Sequence, residues 1–402
     1  LSQELISAGH KFRTHCDTEV IVHAWEEGGE ACVERFRGMF AFAIWDRNKG
    51  VLFLARDRLG IKPLHYTILD NGMLLFGSEL KSLLAHGGFS KEVDPYAVEE
   101  YFAFGYVPEP KTIFRNVFKL EPGHTLTVRR GEAVPGQKQY WDVSFTQNGV
   151  NDPAEAGEEL IERLREAVDI RLISEVPLGA FLSGGVDSSA VVALMAGLSN
   201  EPVNTCSISF GDPAYDESRY AAMVAEQYNA HHHVDEVNPD DFSLLDRLAG
   251  IYDEPYADSS AMPTYRLCQI TKKKVTVALS GDGGDENFAG YRRYRWHTYE
   301  ERVRSLLPDS VRVPFFNALG AAYPKADWAP KIFRAKTTFE SIARDTCAGY
   351  LHSVSLMNNR QRNSLFSRDF TNALQGYNAV EVLKAHARNS PTDHPLSLVQ
   401  YL

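Results

Sequence analysis

GAFLSGGVDSSAVVALMAG (residues 179–197) decides how this chain is read. An apolar run stops at Ser183, two glycines follow, and Asp187, Ser188 and Ser189 open a pattern of helical spacing. The order is strand, loop, helix N-terminus. Consecutive glycines let a ligand approach the backbone, and the first helical turn, expected over residues 188–192, leaves amide N–H groups without intrahelical partners. Such a loop suits a phosphate or pyrophosphate. Asp187 would repel that anion unless a divalent cation lay between them, so its carboxylate reads as an Mg2+ ligand. The G-x-G-x-x-G spacing and the Gly-Lys-Ser/Thr ending of two common nucleotide loops are absent. Taken alone, the window also reads as an ordinary turn closed by a Ser or Asp cap.

A second stretch repeats the context. In KKKVTVALSGDGGDENFAGYRRY (residues 272–294) a β-branched strand again ends in Leu-Ser-Gly, with glycines and carboxylates after it. In a parallel sheet both loops leave the carboxyl ends of their strands, where such sheets bind ligands. Asp187 and Asp285 then form a metal-facing pair, with pyrophosphate held between loop N–H groups and the cation. Two unrelated Ser-Gly turns would carry the same residues.

Strand and helix patterns alternate around these loops: a helix to about residue 196, a strand over 204–210, a helix after Tyr215 and a part-apolar segment over 242–250. That is a doubly wound α/β pattern. In SISFGDPAYDESRYA (residues 207–221), Ile208 could pack against an adenine and Ser209 or Gly211 could admit the ring, although a plain βα turn is equally compatible. Asp216 and Glu217 read as helix caps. Asp253, Glu254, Asp258 and Ser259, in YDEPYADSSAMPTYRL (residues 252–267), are expected to line the substrate crevice. His231, His232 and His233 lack nearby Cys or His residues to complete a zinc set, and read as structural or surface residues. The lysine run 272–274 reads as a solvated helix end.

The chain before this region is rich in short, turn-bounded runs. Strands are expected over 19–25, 39–46, 49–57 and 71–79, with a helix-like stretch at 26–36, and these suggest a sheet domain. Arg56, Asp57, Arg58 and Lys62, in ARDRLGIKPLHY (residues 55–66), read as a salt-bridged loop or an interdomain surface. A helix is expected over 92–105, starting near Pro95, then a loop, short helix and strand over 108–128. The sheet domain ends near Trp141, residues 147–153 have linker composition, and a helix spans 154–173.

Composition bounds the function. The chain has 402 residues, 44% hydrophobic and 24% charged, which suits two or three globular domains. A formal charge of -11 argues against a general nucleic-acid binder. Five cysteines without a C-x-x-C pair point to a reducing compartment and mostly buried thiols. No apolar run reaches about eighteen residues, so no membrane span is expected.

HCDTEV, GMFAFAIWD, ARDRLGIKPLHY, FGSELKSLL, SFGDPAYDES, DEPYADSSAMPTY and SGDGGDE fall in an order that resembles the glutamine-dependent asparagine synthetases, members of the pyrophosphatase-loop ATP family. The resemblance runs from Leu1 to Leu402. It implies an α/β chain: a partial N-terminal-nucleophile glutaminase sheet domain (1–145), a linker and the start of an interdomain helix (146–160), and a parallel-sheet ATP-binding synthetase domain (161–402). Ammonia passes between the domains. ATP and Mg2+ are the implied cofactors, glutamine the amide donor and aspartate the acceptor. The implied setting is cytoplasmic, compatible with a homodimer and without nucleic acid.

Carried over by position, Ser183, Gly184, Gly185, Asp187, Ser188 and Ser189 hold the ATP phosphates and metal, and Leu182 and Ile208 contact the adenosine. Ser280 and Gly281 complete the nucleotide pocket, Asp285 is the second magnesium aspartate, and Asp17 holds the glutamine amino group. Asp282 departs from the glutamate common in this loop of the asparagine synthetases, where it binds the activated intermediate. Its carboxylate is about one methylene farther back. The SGDGGDE wording also resembles asparagine synthetase-like amidotransferases near exopolysaccharide and exosortase genes, which implies another carboxylic acid as acceptor. An RNA-thiolating enzyme with this loop would need a basic surface or a sulfur-carrying cysteine pair, and a scaffold with a relict loop would not turn over ATP.

The family's glutaminase uses an N-terminal cysteine as nucleophile, and Cys16 and Cys32 are internal here. The early Arg and Asn-Gly segment is absent, and the sequence stops at PLSLVQYL, ahead of the family's later lysine. The expectation is a sequence that lacks both ends of such a protein.

Overall fold

The computed structural model describes residues 1–146, 149–150, 152–210, 216–237, 242–323 and 335–402. It divides into two compact units: Leu1–Ser144 with Tyr252–Tyr256 and Val354–Val382, and Phe145–Ile251 with Ala257–Ser353 and Leu383–Leu402.

In the first unit, strands β1 (Ala41–Asp46), β2 (Val51–Arg56), β3 (His65–Ile68), β4 (Leu74–Gly77), β5 (Val117–Lys119), β6 (His124–Arg129) and β7 (Lys138–Gln139) form two sheets, in the orders β1-β2-β6-β7 and β4-β3-β5. All their pairings are antiparallel. The strand expected over 19–25 is instead part of the helix Asp17–Gly28. Ala24 and Trp25 are buried in one cluster with Val20 and Ile21 packed against it, so the apolar residues cover one side of a helix. The short helix expected within 108–116 is absent among the described residues. There the Thr112 hydroxyl donates to the carbonyls of Phe114 and Val117 and binds the chain as a turn leading into β5.

Two charges of the 55–66 segment, Arg56 and Asp57, are structural. Arg56 ends β2 and donates to the carbonyls of Gly60, Lys62 and Leu120. Asp57, 1% exposed, accepts from the backbone N–H groups of Phe40, Leu59, Ile61 and Lys62. The helix Pro95–Phe104 matches its expected start: Asp94 caps it and Gly105, in the left-handed region, ends it.

The second unit is built on a parallel sheet of β8 (Leu178–Phe181), β9 (Asn204–Phe210), β10 (His231–Val237) and β11 (Val277–Leu279), in the order β10-β9-β8-β11. The histidine run is therefore a strand of this sheet. Helices Pro153–Leu172, Val186–Leu198 and Ser218–Gln227 supply Val168, Val192, Met195, Ala221 and Ala225 to a core shared with Ala180 and Leu182. After β8 the chain builds outward through β9 and β10, then returns to place β11 on the other side of β8. The strand order thus reverses around β8, which opens a crevice at the carboxyl ends of the strands. No described helix is long and apolar enough to cross a membrane.

Candidate functional site

The loop after β8 closes on itself through hydroxyls. Ser188 Oγ accepts from Ser183 N at 3.3 Å, lies 3.0 Å from Ser183 Oγ and donates to Gly185 O at 3.2 Å. The helix begins at Val186, two residues earlier than expected, with Gly185 as N-cap and no side-chain cap. Its first amides therefore have no capping side chain, and Asp187 sits in the first turn. Gly184 has another task. Its φ is +83°, and a Cβ there would stand 2.6 Å from Ala221 N and from Tyr220 Cβ, so this glycine lets the loop touch the helix Ser218–Gln227.

The second loop lies directly against the first. A Cβ at Gly281 would be 2.6 Å from Ser188 N, and one at Gly284 would be 2.5 Å from Asp187 Cγ. One at Gly290 would be 2.0 Å from Asp285 Oδ1. At 281 the obstacle is backbone, so only glycine fits; at 284 and 290 a Cβ would push the Asp187 and Asp285 carboxyl groups from their places. Both carboxylates are half-buried and have no hydrogen-bond or ion-pair partner among the described residues. Gln400 fastens the same loop by donating to the carbonyls of Glu286 and Asn287 at 2.9 and 3.1 Å.

Between the loops lies a cavity of about 540 Å³. From the first strand and loop it takes Leu182, Ser183, Gly185, Asp187 and Ser188; Ile208 lines it from β9. Ser280, Gly281, Asp282 and Asp285 line it from the other side. Gly184 and Ser189 lie behind this wall; Ser189 N donates to Gly185 O within the helix. Asp282 is exposed, and its carboxylate accepts from Ser280 Oγ at 3.0 Å. Gly211 and Tyr215 lie outside the described residues.

Two carboxylates with no partner among the described residues, in a space shaped by glycines, fit a hard dication. Asp187 and Asp285 are the residues that would hold Mg2+.

Part of the expectation for 252–267 is corrected. Pro263, Thr264 and Leu267 line the cavity, whereas Asp253 and Glu254 are tied up within the first unit. Asp253 accepts from Leu80 N and pairs with Lys81 at 3.2 Å. Glu254 accepts from Ile113 N at 3.0 Å and pairs with Lys119. Asp258 turns back to Ser260 N at 2.8 Å. Asp216 accepts from Ser218 N and Ser218 Oγ, as a cap should.

Glu286 and Tyr291 also line the cavity and were not singled out in the sequence; Glu217, expected to cap a helix, stands at the N-cap of the helix Ser218–Gln227 without a side-chain cap bond and lines the cavity instead. Tyr291 donates to Glu286 at 2.6 Å, and that bond together with burial pushes its phenol up to about 12. Tyr291 is three residues beyond Phe288 in a polar-aromatic run, and no spacing distinguishes it from a surface tyrosine.

His232 lies near Thr205 Oγ1 (2.9 Å) and Ser207 Oγ (3.4 Å), in keeping with a structural role for the histidine run. Asp17 is exposed at the first position of the helix Asp17–Gly28. A shallow hollow beside it is lined by Cys16, Thr18 and Glu19. Three of the five cysteines are buried; Cys16 and Cys268 are exposed.

A family model described as asparagine synthase matches residues 159–402, and one described as glutamine amidotransferase domain matches residues 1–141. The chain belongs to the asparagine synthase family. It is 42% identical over 304 residues to a protein of Methanocaldococcus jannaschii provisionally named glutamine-hydrolyzing asparagine synthetase 2, covering 75% of this chain and 58% of that one. It is 37% identical over 301 residues to glutamine-hydrolyzing asparagine synthetase 1 of Bacillus subtilis, covering 73% of this chain and 46% of the relative. Amidase chyE of Penicillium rubens matches at 29% identity over 100% of this chain and 62% of its own length. The chain spans about half the length of these two curated relatives. The α/β architecture of this family member has the amidotransferase region first and the synthase region, with its parallel sheet, second.

Proposed function

We propose that the whole protein is a cytoplasmic glutamine-hydrolysing asparagine synthase. The observation that carries this reading is the pair of carboxylates, Asp187 and Asp285, that have no partner among the described residues and are brought by adjacent parallel strands to one cavity beside an uncapped helix N-terminus. Leu182 and Ile208 give the adenosine an apolar wall, with Ser280 and Gly281 opposite. The uncapped first turn of the helix Val186–Leu198, Ser188 N included, offers amide N–H groups to the phosphates, with Ser183 and Gly185 in the loop that leads into it. Mg2+ bound to the two aspartates supplies neutralisation of the negative charge on pyrophosphate.

The carboxylate of aspartate attacks the α-phosphorus of ATP; pyrophosphate leaves and an acyl-adenylate forms. Ammonia attacks the acyl carbon, AMP leaves, and a proton is released as asparagine forms. The amidotransferase region, with Asp17 holding the glutamine amino group, supplies the ammonia. Functionally, residues 1–145 serve glutamine and 161–402 serve ATP, joined through 146–160.

A second acceptor is favoured by one observation. Asp282 is short for its place and its carboxylate is held back against Ser280 Oγ, which leaves space for an acid other than aspartate, as in an amidotransferase of cell-surface polysaccharide synthesis. Pyrophosphate release by the whole protein, with ammonia and a panel of carboxylic acids, decides. Release that requires aspartate supports the first reading, release that requires another acid supports the second, and no release with any acid sinks both.

A further inference from the structure

Far along the sequence from the ATP loops, a second cluster has the composition of a metal site. His10 follows the helix Ser2–Ser7, while His23 and Glu26 stand one turn apart on the helix Asp17–Gly28. Their ligand atoms lie within 4.8 Å of one another. Glu26 Oε2 is 2.8 Å from His23 Nδ1 and 3.4 Å from His10 Nδ1, so one carboxylate oxygen faces two imidazole nitrogens. Tetrahedral zinc, with ligands at about 2.0–2.1 Å, holds neighbouring ligand atoms about 3.3–3.4 Å apart. The two carboxylate–imidazole separations need only a small adjustment to reach that value, and the imidazole nitrogens, within 4.8 Å of each other, close on the ion with them.

The surroundings have the form of a metal site's outer layer. His10 Nε2 is 3.1 Å from Glu27 Oε2, and His23 Nε2 is 3.6 Å from Glu19 Oε1. A carboxylate hydrogen-bonded behind a ligand imidazole fixes the ring and raises the basicity of the nitrogen facing the ion; Glu27 stands at that distance from His10, and Glu19 stands just beyond it from His23. Glu19 is itself held, accepting from Arg13 N and Thr14 N at 2.7 Å each. His23 Nε2 is buried and makes no hydrogen bond at its present distance from Glu19. The edge of Phe12 covers the His23 ring, with centroids 4.7 Å apart. Both imidazoles are 16% exposed while Glu26 is 54% exposed, so a cation has a path from solvent to the nitrogens.

We propose that His10, His23 and Glu26 bind one zinc-class divalent cation, with Glu19 and Glu27 orienting the imidazoles and water as the fourth ligand. The chemistry selects the ion: two imidazoles with one carboxylate suit zinc and its neighbours rather than Mg2+ or Ca2+, which prefer all-oxygen sets. Bound there, the ion ties the turn carrying His10 to the helix that begins at Asp17, and steadies residues 11–16 between them. The site is independent of the ATP loops and of the acceptor acid.

The whole protein, freed of metal with a chelator, is titrated with Zn2+ by calorimetry and with Co2+ by visible absorption. One equivalent should bind, with Co2+ giving the spectrum of a four-coordinate site, and Mg2+ should not compete. His10→Gln with His23→Gln should abolish binding, and Glu27→Gln should weaken it about tenfold. His231→Gln with His233→Gln should leave it unchanged. Hydrogen exchange on the unmutated protein, with and without Zn2+, supplies a readout that needs no variant: protection should rise over residues 8–26. Binding that survives the His10/His23 double variant, or no stoichiometric Zn2+ binding together with unchanged exchange, overturns the proposal.

Discussion

Asp57 and Asp187 both stand beside glycine-containing turns at the end of a strand, one in each unit. Asp57 is 1% exposed and accepts four backbone N–H groups. Asp187 is half-buried at the first turn of an uncapped helix and has no partner among the described residues. The contrast extends to their neighbours. Glu99 of the first unit is bound by Arg362 through Nε and Nη2 and by Ala379 N, and Glu100 accepts from Lys111 and Tyr377. Asp285 of the second unit, like Asp187, faces a cavity. A buried charge paired within the protein specifies a fold, whereas one left unpaired at a cavity wall holds interaction energy for a ligand.

The comparison breaks most severely at the Glu99–Arg362 pair. Arg362→Met leaves Glu99 charged and buried, and should cost about 3–5 kcal/mol in denaturant unfolding. Pyrophosphate release per folded molecule should be unchanged, because neither residue lines the cavity. Asp187→Asn should do the reverse. Release should fall by about 10²–10³-fold, while the melting temperature stays level or rises. A variant that unfolded instead would show that Asp187 belongs with Asp57.

Gly184→Ala tests the loop's backbone rather than its charge. At φ +83°, with Ala221 N 2.6 Å from the new Cβ, it should cost about 1–3 kcal/mol, seen as a lower melting temperature.

The smallest effect is a pH slope. Burial, reinforced by Lys119, lowers His65 from 6.5 to about 4. The folded chain keeps this imidazole neutral while the unfolded chain takes up a proton. Its stabilising contribution is complete above about 6.5 and declines as pH falls toward about 4, by at most about 1.4 kcal/mol per pH unit. His65→Gln should flatten that part of the stability profile; an unchanged slope would place the titration elsewhere, for instance at His297, also lowered to about 4 by burial.

Much of the second unit was legible because its signals are local. The two Leu-Ser-Gly strand ends and the helical spacing after Ser188 depend on a few consecutive residues, and parallel strands send such loops to the same edge. Residues 19–25 were misread because Val20, Ile21, Ala24 and Trp25 include β-branched and aromatic residues that also suit a strand; burial of one helical face overrode that preference. Asp253 and Glu254 gave no warning that Leu80 and Ile113 would take their carboxylates, since those partners are 173 and 141 residues away in sequence.

The sequence by itself determined the family, the α/β class and the residue types at the two loops, because each rests on short-range order and composition. Only the tertiary structure decided which carboxylates remain available. Availability depends on whether a distant N–H or cation arrives beside each one. It also depends on small contacts such as the glycines at 281, 284 and 290 that leave Asp187 and Asp285 room to face one cavity.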